Sequence, residues 1–175
     1  MNARSTGPGE VRIRRAVAKD AKRLTRLVRT SRAYEGHWAP MVEGYRVGPD
    51  YIEAHRVFVA VDGPDGPVLG FYSLVLDHVP CSQPRPQSPH HPGGATGELD
   101  LMFVADASQG RGIGRWLIGH LREEARRAGL DTVRVVSHPP SEGFYLSVGA
   151  ERTGTAPATP PYVMWDRPEL MLPIA

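Results

Sequence analysis

Apolar and polar residues alternate at Val11-Arg12-Ile13-Arg14, and a period of two predicts a first strand. From Asp20 to about Thr30 the period lengthens. Ala21, Leu24, Leu27 and Val28 fall three and four apart, which is one face of a helix. A second, less regular helical stretch runs from about Trp38 to Ala54, broken near Gly48-Pro49. Val57–Val61 and Val68–Val75 are apolar runs of strand length, and Asp62-Gly63-Pro64-Asp65-Gly66 between them predicts a hairpin. Glu98–Val104 is apolar enough for a buried strand. Beyond it Ile113, Trp116, Leu117, Leu121, Ala125 and Ala128 recur at helical spacing, with Gly129 as the stop. Thr132–Ser137 predicts another buried strand, followed by a short helix through Tyr145 and strands near Glu151–Thr155 and Glu169–Pro173. Residues 1–9 are small and polar and predict a disordered lead-in.

Composition narrows the class without naming a chemistry. The 175 residues suit one domain over 10–175, long enough to bury a core, and no internal repeat interrupts it. No run of eighteen apolar residues and no basic-then-apolar leader is present, so neither a membrane span nor a secretory signal is expected. The single cysteine, Cys81, rules out an intrachain disulfide framework and fits a reducing, cytoplasmic compartment. A formal charge of +2 is too small to argue for nucleic acid as a partner.

One segment stands outside the periodic plan. The loop over residues 77–97 holds five prolines, three histidines and Cys81 and has no repeat, so it is expected to be either disordered or functional. His78, Cys81, His90 and His91 are metal-ligand types, but zinc sites usually pair two close ligands with two more. His90 and His91 are adjacent and poorly placed to share an ion, so no metal is expected.

The densest chemical signal is Gln109-Gly110-Arg111-Gly112-Ile113-Gly114, between the strand at Glu98–Val104 and the helix that follows. A glycine-rich turn opening a helix presents N–H groups with no intrahelical partner, and the helix dipole adds positive potential there. Such a turn suits a phosphate or pyrophosphate. A Walker loop would end in Gly-Lys-Ser/Thr, whereas Gly114 precedes Arg115-Trp116. The dinucleotide pattern G-x-G-x-x-G also fails, because its third glycine would fall on Arg115 or Leu117. The spacing that fits is Gln-x-x-Gly-x-Gly, with Val104 five residues before the glutamine. About thirty residues on stands Phe144-Tyr145-Leu146-Ser147-Val148-Gly149-Ala150.

Together these resemble the acyl-CoA-binding signature and the Phe-Tyr-x-x-x-Gly-Phe segment of the GNAT superfamily of N-acetyltransferases. The resemblance covers nearly the whole chain. It implies an α/β (α+β mixed) fold in the order β-α-α-β-β-β-α-β-α-β-β, with a central mixed sheet of about six to seven strands flanked by about four helices. It also implies acetyl-CoA as co-substrate and direct transfer to an amine. Cofactor contacts would fall on the backbone of Phe103 and Val104, which pairs with the pantetheine arm like an added strand. The turn at Gln109, Gly110, Arg111, Gly112, Ile113, Gly114 and Arg115 would hold the pyrophosphate. Arg111 and Arg115 are either charge-assisted partners or solvated surface residues. His138 replaces the usual asparagine and is followed by Pro139-Pro140, Asp106 stands where proline is common, and Ala150 replaces the usual phenylalanine.

The chemistry needs a neutral amine, a polarised thioester and a proton for the departing thiolate. A tyrosine hydroxyl, with a pKa of about 10, can supply that proton. Tyr145 matches the family position for this acid, or else is a core tyrosine. Glu98 and Asp100 lie two apart on one strand and so share a face. Glu98 is favoured as the base, with Asp100 or a water relay as alternatives. The acceptor is expected to be a small-molecule amine met by Tyr34, Trp38 and Asp100. Glu35, His37 and Tyr45 lie in the same region as Tyr34 and Trp38. The loop over 77–97 is read as a flexible flap leading into the strand of Glu98. Alternatives are an acyl-CoA-binding sensor without turnover, or an enzyme acting on protein N-termini or lysines. Assembly as a homodimer stays open.

Overall fold

A seven-stranded sheet in the order β1-β2-β3-β4-β5-β7-β6 is the frame of the computed structural model. The structure describes residues 11–64, 66–76, 95–161 and 163–174. The lead-in over 1–9 and nearly all of the loop over 77–97, with His78, Cys81, His90 and His91, lie outside the described residues. The strands are β1 (Val11–Arg15), β2 (Arg56–Asp62), β3 (Val68–Leu76), β4 (Thr96–Val104), β5 (Thr132–Val136), β6 (Glu151–Ala156) and β7 (Arg167–Pro173). The α-helices are α1 (Ala21–Arg29), α2 (Pro49–Ala54), α3 (Ile113–Arg127) and α4 (Glu142–Ser147). β1 and β2, β5 and β7, and β6 and β7 pair antiparallel, whereas β4 and β5 are parallel. Parallel neighbours need a long crossover, and α3 supplies it. The sheet is therefore mixed, as the resemblance implied.

The chain divides into two compact units, residues 1–73 with 101–117, and residues 74–100 with 118–175. In the first, Ala21, Leu24 and Val28 of α1 enter a core with Val57, Val59 and Val61 of β2, Phe71 of β3 and Phe103 of β4. These α1 positions are the helix face that the sequence period marks. Gly70 lets β3 and β4 approach closely. A Cβ there would lie 2.9 Å from the Phe103 carbonyl and 3.2 Å from Leu117. The helical stretch expected over Trp38–Ala54 needs correction. It is a 3-10 segment, Gly36–Met41, a non-helical link, and then α2 from Pro49. Gly44 in the link has φ +68°, outside the right-handed helical region. Pro49 begins α2 because its fixed φ suits a first helical position.

In the second unit Val133 and Val135 of β5 and Leu170 and Leu172 of β7 are buried, as are Ile118, Leu121 and Ala125 of α3. Gly129, at φ +74°, ends α3 in a Schellman motif. Its own N–H bonds the Arg126 carbonyl at 3.0 Å, and the Leu130 N–H bonds the Ala125 carbonyl at 2.9 Å. The predicted stop is the observed one.

Candidate active site

The glycine turn follows β4 directly. After Val104 the chain makes a 3-10 turn, Asp106–Ser108, and the Gln109 side chain reaches back to donate to the Val104 carbonyl at 3.0 Å. That bond closes the segment between strand and helix. Asp106 accepts the Arg32 N–H through both carboxylate oxygens at 3.2 Å, so the proline usual at this position is replaced by a tether. Gly110 and Gly112 have φ of +79° and +77°, which a residue with a Cβ rarely adopts. Among the described residues nothing lies within 4 Å of where either Cβ would stand. α3 then starts at the buried Ile113, and Trp116 makes its first long bond, to the Gly112 carbonyl at 3.0 Å. The N–H groups ahead of Trp116 are those a helix start leaves to other partners. Arg111 and Arg115 are exposed beside them, and Gly114 is half-buried.

Phe103 uses its side chain for the core, stacking on Tyr34 at 5.6 Å and Phe71 at 5.9 Å. Tyr34 thus packs against the core, while the half-buried Trp38 meets His37 at 4.0 Å between ring centroids. A cavity of about 370 Å³ opens between α1 and the ends of β3 and β4, lined by Arg23, Arg26, Leu27, Val68, Val104 and Asp106 among others.

The other candidate groups belong to the second unit. Tyr145 is buried in α4, a helix of six residues, too short to persist without tertiary support. Both ends are held. Gly149, at φ +100°, forms a second Schellman motif, in which the Ala150 N–H bonds the Tyr145 carbonyl at 3.0 Å and the Gly149 N–H bonds that of Leu146 at 3.2 Å. Arg122 of α3 donates to the Val148 and Pro173 carbonyls, each at 2.7 Å. At the start of α4, Arg152 of β6 pairs with Glu142 at 3.1 Å. The Phe-Tyr-x-x-x-Gly spacing thereby acquires a physical reason, since the glycine is the C′ residue of the helix that carries the tyrosine. His138 is buried just after β5, and its carbonyl accepts the Ser137 hydroxyl at 2.8 Å and the Ser141 N–H at 2.9 Å. It thus shapes the turn into α4.

Glu98 is half-buried on β4, directly opposite Arg134 of β5 in the parallel register. The Arg134 guanidinium reaches Glu98 at 3.3 Å and Glu169 of β7 at 3.2 Å. Burial alone pulls the Arg134 pKa down, but the hydrogen bond to Glu169 and the charges of Glu169 and Glu98 outweigh it and raise the pKa above the ordinary arginine value. Asp100 lies two residues further along the same face and is exposed. The register between β4 and β5 covers Thr96–Leu99 of β4, while β4 itself runs on to Val104. Sequence reasoning passed over Arg134, Arg122 and Arg152. Arg134 carried a signal, a lone charge in an apolar strand, but its partners depend on register.

Among the described residues no group of His, Cys, Asp or Glu is arranged to hold a metal ion, and no helix is long and apolar enough to cross a membrane. The model of the acetyltransferase (GNAT) family matches residues 21–150. The chain belongs to that family. As a GNAT protein it is an acetyltransferase. No curated protein matches it by sequence. Among solved structures it is similar to yncA of Salmonella typhimurium, solved with its cofactor acetyl-CoA, at 21% identity and TM-score 0.66, over 95% of each chain. The ribosomal-protein-S18-alanine N-acetyltransferase of Escherichia coli gives 18% identity and TM-score 0.62, again over 95% of each chain. A third likeness, at 15% identity and TM-score 0.65, is to the NatC complex bound to Gag peptide and CoA, over 95% of this chain and 99% of that one. At such identities the likeness is one of fold.

Proposed function

We propose that this GNAT protein moves an acetyl group from acetyl-CoA to a primary amine of a small molecule in the cytoplasm. The observation that carries the reading is the turn at Gly110 and Gly112, with left-handed glycines and, among the described residues, open space where a Cβ would stand. It offers helix-start N–H groups to a pyrophosphate, with Arg111 and Arg115 exposed alongside. Where the β5 register has ended, the backbone of Phe103 and Val104 takes the pantetheine arm as an added strand. Gln109 fixes the approach of strand to turn, and Ile113 and Gly114 set the start of the helix. His138 stands at the family's asparagine position.

Glu98 accepts the proton of the attacking amine, with Asp100, two residues along on the same face of β4, as a second carboxylate for the acceptor. The amine nitrogen forms a bond to the thioester carbon, and the carbon–sulfur bond breaks. Tyr145 gives its hydroxyl proton to the leaving thiolate, so the products are the amide and the free thiol of CoA. Solvent then restores the proton to Tyr145 and removes the one held by Glu98. Tyr34 and Trp38 form the aromatic side of the acceptor region. This account needs no metal.

The test is a turnover assay with acetyl-CoA against small amines and a peptide with a free N-terminus, following thiol release and acetylated product by mass. Acetyl-CoA should also raise Tm, by about 2.7 kcal/mol of linkage at a hundred-fold excess over Kd. Gly112→Asp should abolish that shift, because it adds a Cβ at positive φ and a negative charge. Tyr145→Phe should keep the shift but lower kcat at least about ten-fold, since general acid catalysis contributes ~10²–10⁴-fold. A raised Tm with no turnover on any amine would point to a silent acyl-CoA binder. Turnover on the peptide alone would move the acceptor class to proteins.

A further inference from the structure

We propose that Arg134 is a positioning residue that fixes the carboxylate of Glu98 while being anchored on its other side by Glu169. The inference rests on Glu98 as the base of the proposed reaction and adds the group that holds it. Glu98 and Arg134 are direct partners across the parallel β4–β5 register. Arg134 in turn lies opposite Met171 on β7, two residues from Glu169. The three charged side chains form a row across β4, β5 and β7. Arg134 Nη1 donates to Glu98 Oε1 and Nη2 donates to Glu169 Oε2.

The geometry of the guanidinium gives the row its stiffness. Its two Nη groups belong to one rigid plane, so holding one end at Glu169 orients the end that meets Glu98. The side chains of Glu98, Arg134 and Glu169 are 24%, 31% and 29% exposed, so all three are confined by neighbours rather than free in solvent. Thr96 and Asp100 share this face of β4, and Asp100 is its further charge there. Without Arg134 the Glu98 carboxylate would lose the guanidinium that faces it across the register. The Glu98 side chain would regain rotamers that move its oxygens away from the amine. A displacement of about 1 Å in a reacting group can lower the rate ~10²-fold.

The test compares Glu98→Gln, Arg134→Gln, Arg134→Lys and the double variant Glu98→Gln/Arg134→Gln. It reads kcat with the best amine, KM for that amine, Kd for acetyl-CoA and Tm. Arg134→Gln should lower kcat at least about ten-fold and leave the Kd for acetyl-CoA unmoved. Arg134→Lys should recover part of the loss, because one ammonium holds one carboxylate well and not two. The double variant should be no slower than the slower single variant, since Arg134 acts only through Glu98. If Arg134→Gln does not fold, Glu169→Gln is read instead. It removes the anchor but keeps the Glu98–Arg134 pair, and kcat should fall with the Kd for acetyl-CoA unchanged. Wild-type kcat in whichever of these variants is read, beside a slow Glu98→Gln, would overturn the proposal while leaving Glu98 as base. So would losses that multiply in the double variant. Full activity of Glu98→Gln at every pH would remove the base assignment and this proposal together, with the acetyltransferase reading intact.

Discussion

Asp20 gathers three hydrogen bonds on one carboxylate. Arg14 donates from both Nη atoms at 2.8 and 2.9 Å, and the Val17 N–H donates at 2.8 Å. The residue stands just before α1, where a negative charge also meets the positive end of the helix dipole. The hydrogen bond from Arg14 holds its carboxyl below the usual carboxylate range, against the opposing effect of burial. Because the folded pKa lies below the unfolded one, the stabilisation is complete above the unfolded value, about 4. It is lost as pH falls through the folded value. Asp20→Asn should therefore destabilise by about 1–2 kcal/mol at neutral pH, with the exposed side of Arg14 limiting the effect. The gap to wild type should close in acid. Chemical denaturation at pH 7 and below pH 3 checks this, and a gap that is the same at both would refute the ionic origin. At this scale the sequence was legible where chemistry is local. The glycine turn needed only spacing, and Tyr145 was singled out through the family resemblance of its Phe-Tyr-x-x-x-Gly segment. Arg134 opposite Glu98 did not follow, because a partner in another strand is fixed by register and not by separation along the chain.

The short helix α4 shows how an element can depend on its end. Gly149 occupies a left-handed conformation, and a Cβ there would sit 3.0 Å from Arg122 Nη2. Gly149→Ala should lower stability by about 1–2 kcal/mol from the conformation alone, or roughly 2–8 °C in Tm for a chain of this size. It should also reduce kcat, since the Tyr145 carbonyl is the acceptor that closes the motif. Thermal melts and steady-state rates on one preparation would read both, and a lowered Tm with unchanged kcat would separate the cap from the chemistry. The regular elements were legible because their periods are sustained, as in α1, α3 and β1. The segment over Trp38–Ala54 misled because its apolar and aromatic residues are spaced loosely enough to suit a helix. Gly44 and the 3-10 geometry near Pro40 interrupt it where the pattern alone marks only Gly48-Pro49.

On the scale of the whole molecule the order of strands was the least legible feature. The sequence marked seven strand segments and the resemblance implied about six to seven strands, whereas the order β5-β7-β6 places β7 between two strands made earlier. Nothing in the composition of β6, which is mostly exposed, announces that among the described strands it pairs only with β7. This arrangement has a consequence for synthesis. Until Arg167–Pro173 has left the ribosome, β6 has no strand to join and β5 lacks its antiparallel neighbour. At about 5–20 residues per second the interval is short, yet it exposes an open apolar edge that invites pairing with other chains. A chain stopped after Asp166 should accordingly collect in the insoluble fraction and be degraded rapidly in a pulse-chase, while the 175-residue chain persists. A soluble, long-lived product of the shortened chain would contradict this. The closing seven-residue strand would thus decide when the nascent molecule stops being a substrate for proteases.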